Sequence, residues 1–171
     1  MKPTLTIRED EILEGDLLFY RPRSLFGMAI KFFDALRFGR VDIAFSHVAI
    51  AVRDNAGRLR RFDAMEGQKT GFRRHYENCY VFRLPLLELE AAEIRRHCLS
   101  RTGSAYDRRG IMSYFSCIEE DEFCDYCSEL AKNALLKTRY WNKLELETKT
   151  LSPLGLYRIL RDDSSFIGLL L

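Results

Sequence analysis

Charge of one sign is what this sequence has least of: 27 basic residues stand against 25 acidic ones, a net of +2 at pH 7. Recognition of nucleic acid or of an acidic substrate by bulk charge is therefore not expected. Long apolar runs are missing too. No segment approaches the roughly 20 residues needed to span a bilayer, and Met1, Lys2, Pro3 and Thr4 lead into charged sequence, not into the apolar stretch of an export signal. The expectation is a chain made in the cytoplasm with no transmembrane segment. Five cysteines form an odd set without regular spacing, so a reducing compartment is expected and a disulfide framework is not. Internal repeats and low-complexity linkers are absent. What remains is 171 residues at 47% apolar content, the size of one globular domain over residues 1–171 with material for a full core.

Residues 1–14 are polar and read as irregular, with Ile12 and Leu13 the first candidates for burial. Gly15 and Asp16 launch Leu17-Leu18-Phe19-Tyr20, a short apolar strand stopped by Pro22. Ser24 then caps a helical pattern in which Leu25, Met28, Ala29, Phe32, Phe33 and Leu36 recur until Gly39 ends it. Its aromatic stripe is expected in the core. Residues 45–52 (F-S-H-V-A-I-A-V) are the strongest strand of the chain; residues 54–57 turn, and residues 59–64 return as an antiparallel partner.

Residues 71–72 and 78–84 supply further strands, with His75 in a polar run where it reads as solvated. Residues 89–100 form a charged amphipathic helix, whose His97 and Cys98 diverge by about 100° around the axis and so share no ligand. Trp141 and the alternating Leu144-Glu145-Leu146-Glu147 read as a turn and an edge strand. Ser152-Pro153 opens a helix that runs to Leu160. The apolar residues 166–171 either pack on the body or meet a partner.

The chemistry gathers around Cys127. It stands where an acidic, turn-like run gives way to a helical pattern of Leu130, Ala131, Ala134 and Leu135. A cysteine in the first turn of a helix sits in the positive end of the macrodipole, which favours the thiolate. Upstream, strand alternation puts His47 on one face with the small Ala49 and Ala51, and Val48, Ile50 and Val52 on the other. An acid on the returning strand can accept the imidazole N–H and set its tautomer; Asp63 is the first candidate and Glu66 the second.

These pieces resemble, in their order along the chain, the permuted papain-fold hydrolases of the NlpC-related superfamily, in particular its YiiX/YaeF-like group of amidases. The matching elements are G-D-L-L-F at residues 15–19, S-H-V-A-I at 46–50, D-A at 63–64, G-S-A-Y-D at 103–107, C-S-E-L at 127–130 and S-P at 152–153. The resemblance implies an α+β, circularly permuted papain-like fold, with an antiparallel sheet packed on helices and the nucleophile at a helix N-terminus. It implies Cys127 as nucleophile, His47 as base, an acid on the following strand as orienter, and Tyr106 and Asp107 lining the cleft. The family more often has E-A where this chain has Asp63-Ala64, and the shorter acid reaches less far. No metal or cofactor is implied.

The resemblance further implies a peptide of the peptidoglycan type, or another amide, as substrate, cleaved through a thioester, with a small peptide, cell-wall fragment or acyl compound as partner. Two other chemistries compete. Related permuted folds act as lipid acyltransferases or thioesterases, and the aromatic helix of residues 25–38 is a candidate lining for an apolar channel. Cys124 and Cys127 also have the C-x-x-C spacing of a thiol redox motif, although the strand–helix–hairpin order upstream differs from a βαβ pattern. Zinc held by the same two cysteines lacks a second ligand pair with usable spacing.

Overall fold

The computed structural model describes residues 6–22, 28, 31–32, 35–36, 45–65, 68–74, 76, 78–106, 124–140 and 151–170. Five of its strands come early: β1 (Leu17–Tyr20), β2 (His47–Arg53), β3 (Leu59–Asp63), β4 (Gly71–Arg73) and β5 (Cys79–Arg83). Helix α1 (Glu88–Ser100) follows, then the two-residue strands β6 (Ala105–Tyr106) and β7 (Cys124–Asp125). Helix α2 (Cys127–Leu135), helix α3 (Pro153–Leu160) and strand β8 (Ser165–Leu170) complete the order. The main sheet is antiparallel throughout and runs β4-β3-β2-β1-β5-β8, while β6 and β7 pair in parallel as a separate ribbon. The chain is thus a mixed α+β protein with helices laid on a six-stranded sheet. Among the described residues no helix is long and apolar enough to cross a membrane.

Alternation along the strands gives the sheet two different faces. One carries Leu17, Phe19, Val48, Ile50, Val52, Phe62 and Phe82, and takes the apolar sides of α1, α2 and α3 in one core. Phe19, Phe45, Phe82 and Tyr157 stack there with centroids 4.9 to 6.2 Å apart, which docks α3 on the sheet. The second face carries Leu18, Ala49, Ala51, Cys79 and Val81 and is covered by Ile7, Ile12 and Tyr76. Asp16, 1% exposed, accepts from Arg83 on β5 at 2.8 and 2.6 Å, pinning the start of β1 to its neighbour.

The β2–β3 hairpin forms with Ile50 opposite Phe62, its turn closed by Asp54, whose Oδ1 accepts from the backbone N–H of Ala56 and Arg58. Two expectations are corrected. Leu13 is 53% exposed, and it is Ile7 that is buried beside Ile12. Met28, Phe32 and Leu36 are helical but 52 to 67% exposed, because the apolar face of the sheet is already filled by α1, α2 and α3. Residues 165–170 form the sixth strand, against β5. His75, Trp141 and residues 144–147 lie outside the described residues.

Candidate active site

Cys127 is the first residue of α2, and packing explains its placement. Leu130, Ala131, Ala134 and Leu135 are buried against the sheet and the other helices, so the axis of α2 is fixed along its length. Ser128 adds a tether, donating its hydroxyl to Leu151 O at 2.5 Å. Tyr126 precedes the helix in an extended conformation and makes no side-chain cap. The first-turn N–H groups therefore converge where the Cys127 sulfur begins its side chain. Cys127 is a free thiol, 5% exposed.

His47 opens β2, on the same face as Ala49 and Ala51 as alternation requires, with Tyr20 opposite it in the register. The Tyr20 ring lies 5.5 Å from the imidazole. Asp63 closes β3 on that face and is wholly buried. His47 Nε2 donates to Asp63 Oδ2 at 3.0 Å. The ring is also within hydrogen-bonding reach of the Cys127 thiol. With Nε2 spent on the carboxylate, Nδ1 is the nitrogen left for the sulfur.

Burial disfavours a charged imidazole, but the charge of the Cys127 sulfur and the hydrogen bond to Asp63 outweigh it and push His47 up to about 10. Burial likewise works against ionised Asp63, yet the hydrogen bond and charge of His47, followed by the charges of Arg61 and Arg73, hold it below the ordinary carboxylate range. Both shifts favour the same state, an imidazolium held against an ionised Asp63.

Cys127, His47 and Asp63 are therefore brought together from α2, β2 and β3. The aspartate reaches despite its length, because it comes diagonally across the strand pair. Tyr106 lies in β6, next to β7 and so near the approach to α2; Asp107 and Glu66 fall outside the described residues. Cys124 lies in β7, three residues before Cys127. What the sequence did not flag is the pair of arginines. Arg61 Nε stands 3.0 Å from Asp63 Oδ2 and Arg73 Nε 3.6 Å from Oδ1. A cavity of about 660 Å³ lies elsewhere, around Asp16, Arg83 and Leu86, at the opposite end of β1 from His47.

No family model matches the chain, and no curated protein matches it either. Among solved structures, the crystal structure of the metalloprotein yiiX from Escherichia coli O157:H7 is similar to it, with a TM-score of 0.64 at 16% identity over 91% of this chain and 96% of that one. The likeness defines a YiiX-like fold. Among the described residues, no three His, Cys, Asp or Glu side chains are grouped to hold a metal ion. The site chemistry agrees: the carboxylate of Asp63 already faces an imidazole and two guanidiniums, a setting that repels a metal cation.

Proposed function

We propose that the chain is a cysteine hydrolase of the NlpC-related, permuted papain-like kind, one domain over residues 1–171, that cleaves an amide through a thioester. The observation that carries this reading is the placement of His47 between the helix-start thiol of Cys127 and the buried Asp63. Nucleophile, base and orienting acid follow one another within hydrogen-bond reach, which is the arrangement nucleophilic catalysis needs.

His47 takes the Cys127 proton on Nδ1, and the thiolate attacks the substrate carbonyl carbon to form a C–S bond. The carbonyl oxygen becomes an oxyanion, stabilised by the first-turn N–H of α2. As the C–N bond breaks, the imidazolium returns its proton to the leaving amine. Water then adds to the thioester with His47 as base, and rupture of the C–S bond frees the acid and restores Cys127. Asp63 keeps the imidazole oriented and its charge balanced throughout.

A peptide amide of the peptidoglycan type is the substrate class proposed. The exposed apolar Met28, Phe32 and Leu36 favour a second reading in which an acyl compound is the donor and another nucleophile replaces water. Incubation of the protein with peptidoglycan fragments and, separately, with acyl thioesters, followed by intact-mass analysis, tests both. The expected result is an acyl adduct on Cys127 from one class, lost in Cys127→Ala together with turnover, which falls by orders of magnitude. Full turnover by Cys127→Ala, or an adduct on Cys98 instead, overturns the assignment.

A further inference from the structure

Asp63 is an unusual partner for a histidine because two guanidiniums share it. The strand register explains how. Arg61 stands two residues before Asp63 on β3, on the same face, and Arg73 of β4 is the cross-strand partner of Arg61. Gly71 is opposite Asp63, so no side chain separates the carboxylate from Arg73. Neither contact to Asp63 is aligned as a hydrogen bond, so both cations act on it through charge and packing.

Each guanidinium is anchored at its far end. Arg61 donates to Tyr20 Oη at 3.4 Å and to Met65 Sδ at 3.5 Å, and its carbon lies 5.3 Å over the Tyr20 ring. Arg73 donates to Lys69 O at 2.7 Å and to Phe72 O at 3.3 Å. Arg61 is 16% exposed and Arg73 24%, against none for Asp63. Tied in this way, they are poor hands for a substrate and rigid walls for the acid between them.

We propose that Arg61 and Arg73 are positioning residues that hold Asp63 as a fixed carboxylate, so that His47 and Cys127 form an ion pair. This rests on the cysteine-hydrolase reading and deepens it. A buried carboxylate without them would take up a proton as the medium turns acid, and a neutral Asp63 no longer anchors an imidazolium. The charged and titratable groups facing this carboxylate and its partner are His47 on β2, Arg61 on β3, Arg73 on β4, Tyr20 on β1, Cys79 on β5 and Cys127 on α2.

The test is the pH dependence of Cys127 alkylation by iodoacetamide, followed by peptide mass, which needs no amide substrate. In Arg61→Gln and Arg73→Gln the acid limb should move up by about one pH unit, the scale of losing one adjacent cation, while Arg61→Lys stays close to wild type. In an Asp63→Asn background, Arg61→Gln should move the limb no further, because the arginine acts through the acid. If the arginine variants lower the melting temperature but leave the limb in place, their role is structural and the proposal is overturned. Additive shifts in the Asn background overturn it as well. Should Arg61→Gln fail to fold, Arg73→Gln and Arg61→Lys decide the question. His47→Gln separates the two levels: a limb indifferent to that change sinks the hydrolase reading, whereas a limb that responds to it but not to the arginines sinks only the positioning role.

Discussion

At the scale of a residue, the proton on His47 is the quantity the site is built to hold. Its binding is raised from 6.5 to about 10, against the opposition of burial, by the Cys127 sulfur and by Asp63. The folded protein therefore keeps a proton that the unfolded chain releases above about pH 6.5. The stabilisation this provides is complete below 6.5 and drains away as the pH climbs toward 10. Melting temperatures of wild type and His47→Gln should accordingly differ most near pH 6 and converge by pH 10. A gap that stays constant across that range would show that no ion pair forms. Asp63 brings the opposite sign: its ionised state is favoured in the fold, so its contribution is lost only as the medium becomes acid.

At the scale of an element, α3 shows how a short helix is fixed by its first turn. Ser152 Oγ accepts from Gly155 N at 3.0 Å and Pro153 takes the first helical position, where its missing N–H costs nothing. Ser152→Ala should cost about 1 kcal/mol, which for a chain of this length lowers the melting temperature by about 2–4 °C; no change in a thermal melt would mean the cap is idle. Such elements were legible because their signals are local. The apolar spacing after Cys127 and the alternation from His47 to Val52 each announce one element and one face. The signals that failed were not local. Met28, Phe32 and Leu36 have helical spacing, but spacing does not say which helices will cover the sheet. The ribbon of β6 and β7 joins two residues to two others across a long gap, too short to leave a pattern. Arg61 and Arg73 carry no signal in the sequence, and only the register across three strands places them on the carboxylate.

At the scale of the whole molecule, the sheet is closed by residues from opposite ends of the chain. β8 pairs with β5 from Cys79 opposite Leu170 to Arg83 opposite Ser165, with one irregularity at Val81 and Phe82. Thr6 bridges Leu169 on the far side, and Ile7 N donates to Leu169 O at 3.2 Å. Leu170 and Ile167 thereby help bury the second face, in which Cys79 is wholly enclosed. Burial pushes the Cys79 thiol up to about 11, so at neutral pH it is both covered and protonated. Removal of residues 165–171 uncovers β5 as a new edge, takes Leu170 off Cys79 and leaves the N-terminal segment without its bridge. Exposed apolar edges of this kind associate. The truncated protein should melt at lower temperature, associate with rising concentration and become alkylated at Cys79, which stays unlabelled in the full chain. Ser165→Ala, at an exposed position of the same strand, should leave all three readouts close to wild type. If Cys79 remains inert after truncation and the melt is unchanged, β8 is an appendage and not the sixth strand of the core.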